Sequence, residues 1–246
     1  RWRIDNRQEV RLASFESTKL ALVNNRTLEP TQIAGFNQFF DDINATKSDR
    51  KALGYDIKIN SQLTLGIETS ERDMEEPVVV DVGAGPETDF EDREEEFHKI
   101  YAHWTPTNSI AVSVEAISDL YEAESGIITQ SDNLPERVKT KSLPVSVKYF
   151  SPSGWYAGVT TTFVDQEVER DPAASQASGD DSFEVIDLSI GYRLPKRRGA
   201  ISLIILNAAD KEFDYQDDSY REFRDEPSTG PYFPERTATV QVNLVF

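Results

Sequence analysis

The chain has 246 residues, with 26 Lys and Arg against 44 Asp and Glu, and so a net charge of −18. That length suits one large domain or two small ones, and so acidic a chain is a poor match for the phosphates of nucleic acid, which need Lys and Arg. Cysteine is absent, which removes disulfides, thiol nucleophiles and thiolate metal sites. The longest apolar runs, such as Leu203 to Leu206 and Val78 to Val80, fall far short of the roughly 20 residues of a spanning helix. Spanning by strands stays open, because alternating strands look polar on average. The sequence opens at Arg1 without an initiator Met or a signal peptide, and it is read as a processed protein or as the C-terminal portion of a longer chain.

One period runs along the chain, and it is two. Leu53, Tyr55, Ile57 and Ile59 alternate with Asp56 and Lys58, and Leu63, Leu65 and Ile67 with Thr64, Gly66 and Glu68. Ile110, Val112, Val114 and Ala116 oppose Ser113 and Glu115, and Leu143, Val145, Val147 and Tyr149 oppose Ser146 and Lys148. Ile186, Leu188, Ile190, Tyr192 and Leu194 oppose Asp187, Ser189, Gly191 and Arg193. The last eleven residues repeat the pattern, with Ala238, Val240, Val242, Leu244 and Phe246 on one side. Successive side chains of a strand point to opposite faces, so each segment is an amphipathic strand. About ten strands are predicted, over 7–15, 48–60, 62–74, 90–104, 109–123, 137–150, 154–168, 183–194, 199–214 and 235–246. Several exceed the roughly 5–6 residues usual in globular proteins and reach the roughly 9–11 needed to cross a bilayer at a tilt.

The connections differ by side. Asn60-Ser61, Thr105 to Asn108, Ser151 to Gly154 and Pro195 to Gly199 are short and carry turn residues. The polar stretches 15–47, 75–89, 124–136, 169–182 and 215–234 are long. Short turns on one side and long loops on the other are the asymmetry of an outer-membrane barrel. Trp104, Tyr149, Phe150, Trp155, Tyr156, Tyr192 and Phe246 all fall near a short turn or the C-terminus. Of these, Trp104, Tyr149, Trp155, Tyr156 and Tyr192 are expected as interfacial aromatics. The fold class that follows is all-β, an antiparallel up-and-down transmembrane β-barrel over residues 1–246, either closed at ten strands or part of a larger barrel. A soluble β-rich binding module with its apolar face inward shares the same period. Long strands, loop asymmetry and the terminal Phe246 favour the membrane.

Candidate chemistry is sparse. His98 and His103 are the only histidines, and five residues apart on one strand they face opposite sides and cannot chelate one metal together. No phosphate loop, nucleophile elbow or ligand cluster of known spacing appears, so no enzyme, cofactor or metal is predicted. Glu71 to Glu96 holds twelve carboxylates, read as a solvated external surface in preference to a divalent-cation site. Asp56, Lys58, Glu68, Glu115, Lys148, Asp187 and Arg193 are expected to face a lumen. There a hydrated or mutually paired setting removes most of the several kcal/mol that burial in an apolar core would cost each.

The C-terminal sixty-odd residues resemble the end of TonB-dependent outer-membrane receptors. The matching text is Ile190-Gly-Tyr-Arg-Leu-Pro195, Asn207-Ala-Ala-Asp-Lys-Glu-Phe213, and Thr237 to Phe246. Ala208 and Phe213 depart from the family's larger apolar residue and Tyr. The resemblance implies ligand uptake, a bacterial outer-membrane location, and a barrel-assembly signal in Val240, Val242, Leu244 and Phe246. It also implies an inner-membrane energy-transducing partner acting through a plug that this sequence does not show. A second segment, Thr27 to Asp42, resembles barrels that follow tetratricopeptide repeats. That resemblance implies export or anchoring, with periplasmic repeats as partners.

Overall fold

The computed structural model describes residues 1–19, 32–37, 44–81, 83, 85–123, 135–170, 178–213 and 235–244. The strands are β1 (Trp2–Arg3), β2 (Gln8–Thr18), β3 (Gln32–Ile33), β4 (Phe36–Asn37), β5 (Lys47–Lys58), β6 (Leu63–Asp81), β7 (Pro86–Thr107), β8 (Ile110–Ala123), β9 (Arg137–Phe150), β10 (Trp155–Glu169), β11 (Gly179–Arg193), β12 (Gly199–Leu206) and β13 (Thr237–Leu244). Eleven form one sheet in the order β1-β2-β5-β6-β7-β8-β9-β10-β11-β12-β13, and β3 and β4 make a separate hairpin. Every pairing is antiparallel. The fold is all-β and up-and-down, with β1 and β13 as the two edges of the sheet among the described residues.

Eleven strands replace the expected ten because β1 adds a short edge before β2. The larger correction concerns 75–89, expected as a loop. β6 and β7 run straight through it as a hairpin paired from Leu63↔Trp104 to Asp81↔Pro86. Its inward positions, Arg72, Met74, Glu76, Val78, Glu91 and Arg93, are buried, so period two continues while the apolar content that reveals it fades. The expected strand 199–214 stops at Leu206, because Asn207 turns the chain at φ 46. Its side chain accepts from Lys211 N and donates to Lys211 O, both at 2.9 Å. Asp210 then accepts from Arg236 N at 2.8 Å. The Asn-x-x-Asp-Lys element is therefore a built turn, and its Asp210 ties the end of β12 to the residue just before β13. The remaining long polar stretches lie mostly outside the described residues, as does Phe246.

The short turns are made by side chains that satisfy backbone donors. Asp5 accepts from the N–H groups of Arg7 and Gln8 at 2.7 and 2.8 Å, and these bonds hold its carboxyl below the ordinary carboxylate range. Asn60 does the same for Gln62 and Leu63 at 2.7 and 2.9 Å.

The two faces of the sheet differ sharply. One is enclosed, and it buries Arg11, Arg50, Glu68, Ser70, Arg72, Glu76, Glu91, Arg93 and Gln166. The other is open and apolar: Leu53, Ile67, Ile100, Val147, Leu188 and Ile190 are exposed, although water should disfavour them there. Register keeps each set together, since cross-strand partners share a face. Leu53↔Thr69, Ile67↔Ile100, Trp104↔Val112, Val112↔Val147 and Val159↔Leu188 are all outer pairs.

Two glycines on the enclosed face make room for tyrosines from the neighbouring strand. A Cβ at Gly66 would collide with the Tyr101 ring, and one at Gly191 with the Tyr156 ring. Gly191→Val is therefore expected to cost roughly 1–3 kcal/mol. Tyr156→Ser in the same chain should recover part of that loss, as read by urea unfolding in detergent. Strictly additive losses would show that ring and glycine do not share the space.

Candidate functional site

The outer face carries a belt. On β9 it runs from Leu143 to Tyr149, on β11 from Ile186 to Tyr192 and on β10 from Trp155 to Phe163, roughly 20–27 Å along the strands. Its upper edge is abrupt. Lys51, Glu71, Glu96, Lys141, Asp165 and Glu184 take over the same face one or two positions further on. The lower edge is aromatic: Trp104, Tyr149 and Trp155 are exposed at 47%, 48% and 53%, and Tyr192 packs against Trp155 at 5.1 Å. Tyr156 does not join this row. It neighbours Trp155 in sequence, so it must face the other way, and its ring covers Gly191 on the enclosed face.

The seven residues expected to line a lumen share the enclosed face. Asp56 accepts from Arg11 Nε at 3.0 Å and from the Tyr101 hydroxyl. Glu68 accepts from Arg11 Nη2 at 3.2 Å. Asp187 accepts from Asn207 N at 2.9 Å, and Glu115 lies 3.5 Å from His103. Arg193 sits over the Phe150 ring at 5.6 Å. Lys148 and Lys58 share the face by register, opposite Gly158 and Thr64. His98 lies on the outer face, where it pairs with Thr69 Oγ1 at 2.8 Å.

The densest chemistry consists of residues that sequence reading passed over. Four arginines climb the wall formed by β2, β5, β6 and β7. Arg11 bonds Asp56 and Glu68. Arg50 lies opposite Arg72 and bonds Ser70 at 2.9 Å, while Arg72 meets Glu95 at 3.1 Å. Arg93 meets Glu76 at 2.7 Å, Glu91 at 2.9 Å and the Tyr121 hydroxyl at 2.5 Å. Strand parity was the available signal: Arg50 shares a face with Asp56, and Arg72 with Glu68.

The opposite part of the enclosed face is less charged. A cavity of about 850 Å³ crosses six strands, β6 to β11, taking three consecutive residues from each. The central residues of those triplets are Glu68, Lys99, Ile117, Ser142, Val164 and Phe183. All six lie on the enclosed face by register, and their neighbours along each strand, among them Ile67, Ile100 and Phe163, lie on the outer face. Phe183 stacks on Phe213 at 4.1 Å. A second cavity of about 750 Å³ lies towards the long-loop end, around Ser17, Ser48, Met74, Arg93 and Ala123. Along the enclosed face, the paired charges of β2, β5, β6 and β7 give way to mainly hydroxyl and apolar groups such as Ser113, Ser142, Ser146, Thr160, Val164 and Phe183.

Above the belt the outer face is acidic. The carboxylates of Glu71, Asp73 and Glu94 come within 4.8 Å of one another, with Asp73 directly opposite Glu94 and Glu71 opposite Glu96. Desolvation, and then repulsion from Asp73, Glu96, Glu71 and Glu122, push the Glu94 carboxyl above its ordinary pKa. A group with a raised folded pKa supports the fold when protonated and withdraws that support as pH rises through the folded value. The hairpin above the belt should therefore tighten as pH falls into the carboxylate range. Glu94→Gln should stabilise it at neutral pH by roughly 0.2–1 kcal/mol at low salt, and less at high salt. Hydrogen exchange of the β6–β7 amides at two salt concentrations checks this, and slower exchange in the Glu form would contradict it.

No family model matches the chain, and no curated protein matches it. Among solved structures it is similar to one titled as the crystal structure of a Pseudomonas aeruginosa FadL homologue. The sequences are 10% identical, the TM-score is 0.31, and the match covers 82% of this chain and 57% of that one. These comparisons do not single out the TonB-dependent receptors.

Proposed function

We propose that this chain is a β-barrel domain of the bacterial outer membrane that admits a ligand to its interior and passes it on. One observation carries the reading, the inversion of the two faces. Charged side chains and most hydroxyls along the belt are enclosed, and a predominantly apolar belt is presented outward. In water that arrangement exposes Leu, Ile and Val without return, whereas in a bilayer it is what strands require. It also disfavours the alternative of a soluble β-rich binding module, which would carry its apolar face inward. The partner of the belt is outer-membrane lipid, and the enclosed face with its polar side chains is where a ligand would sit. We assign no enzymatic reaction to it.

The finer proposals rest on sequence resemblance. Asn207 to Phe213 and the C-terminal strand favour uptake like that of a TonB-dependent receptor, driven by an inner-membrane energy-transducing protein. Thr27 to Asp42 favours export or anchoring beside periplasmic repeats. Val240, Val242 and Leu244 lie on the outer face of β13 opposite Leu203, Ile201 and Gly199, an apolar row suited to recognition by the barrel-assembly machinery together with Phe246.

The test is partition and heat-modifiability. The protein should fold into detergent micelles or lipid vesicles and migrate faster on gels unheated than boiled. A folded monomer in detergent-free buffer would overturn the membrane reading.

A further inference from the structure

The connection from Thr18 to Lys47 leaves from the long-loop end of the sheet, yet its β3–β4 hairpin is found near the other end. Gly35 O accepts from Arg11 Nη1 at 3.0 Å, and Arg11 is only the fourth residue of β2 from the short-turn side. From Thr18 down to Arg11 is seven residues, roughly 23 Å of strand. The hairpin has therefore travelled down the enclosed face rather than lying over the rim.

It is seated there by specific contacts. Phe36 is 0% exposed, and the Arg11 guanidinium lies 4.8 Å from its ring centroid. Arg1 Nε donates to Ala34 O at 3.3 Å. Two glycines clear the space: a Cβ at Gly54 would lie 2.8 Å from Arg11 Nη2, and one at Gly35 would lie 2.6 Å from Arg1 Nη2. Gly35 also has φ +90, a conformation that other residues adopt at a cost. Arg11 is itself fixed by Asp56 and Glu68 on β5 and β6, so one side chain ties the hairpin to three strands of the wall.

We infer that the Gln32–Asn37 hairpin is a resident stopper of the interior, with Arg11 as the latch, and that passage requires its release. The inference rests on the transport reading above and adds its regulation. The latch is reversible by design: Asp56 and Glu68 stay paired to Arg11 when the hairpin leaves, so release forfeits the Gly35 bond and the Phe36 contact without orphaning a buried charge.

The experiment is ion conductance in planar lipid bilayers. It compares the unaltered protein, Phe36→Ala, and a chain whose residues 32–37 are replaced by a Gly-Ser linker of equal length. Neither change touches a wall residue. Retained heat-modifiability shows which proteins are folded and inserted, and Phe36→Ala carries the test if the linker chain is not. The expected result is a nearly closed parent and an open fraction raised roughly tenfold or more in the variants. Equal, high conductance in the parent and the variants would overturn the stopper and leave transport standing. Inserted protein that stays silent in every form would overturn the stopper and the transport reading together.

Discussion

Arginine placed at Leu188 or Val145 should destabilise the lipid-inserted protein by roughly 2–4 kcal/mol, and arginine at the neighbouring Ser189 or Ser146 far less. Leu188 is 39% exposed on the outer face and lies between Ile186 and Ile190 in the belt. Val145 lies between Leu143 and Val147 in the belt and opposite Val114. A charge at either position meets acyl chains within the belt, where the penalty is large. Ser189 and Ser146 face the interior, where Ser146 accepts a 3.1 Å bond from Thr160. An Arg there loses at most that bond, worth about 0.5–1.5 kcal/mol, and gains polar neighbours. Refolding titrations into lipid vesicles measure all four. Equal costs on the two faces, or larger ones at the serines, would reverse the inside-out assignment.

That contrast also marks what the sequence makes legible. Where strands cross the belt, an apolar residue at every second position identifies both the strand and its faces, and β9 emerges over 137–150 as expected. The direction of the faces is not in the period, because alternation reads the same with the apolar side in or out. It took the burial of Arg11, Arg50 and Glu68 beside exposed Leu53 and Ile67 to decide it. Above the belt the signal fails for a physical reason. Beyond Ile67 both faces of β6 meet polar surroundings, so Glu71, Asp73 and Glu75 alternate with Arg72 and Glu76, and charge looks like loop. The arginine wall is legible in part: Arg11, Arg50, Arg72 and Arg93 all fall within expected strands, but their shared face with Asp56 and Glu68 shows only when parity is followed past the apolar positions. The β3–β4 hairpin is not legible at all, since 15–47 reads as one long polar stretch. Nothing in the order of residues says that such a segment folds inward, and its partner Arg11 is far from it in sequence.

The Arg93 cluster gives the second large effect. The guanidinium is 4% exposed, and its partners Glu76 and Glu91 are 9% and 10% exposed. Glu76 and Glu91 are cross-strand partners on β6 and β7, so without Arg93 two carboxylates face each other in an enclosed space. Tyr121, the third partner, comes from β8 and ties the tall hairpin to the next strand. Removing one member of a buried ion set leaves the others uncompensated, which costs roughly 3–5 kcal/mol. Arg93→Met should therefore release the hairpin above the belt. The triple variant Arg93→Met, Glu76→Leu, Glu91→Leu should regain most of the loss, because apolar residues of similar volume often replace a buried ion set at little cost. Hydrogen exchange resolves where the loss falls, since elements open separately when their own contacts are few. Amides of Glu75 to Glu91 should lose protection in Arg93→Met, while those of β9 and β10 within the belt keep theirs. A single variant as protected as the parent, or a triple variant no better than the single, would show that the guanidinium is solvated and that the hairpin stands on its backbone pairing alone.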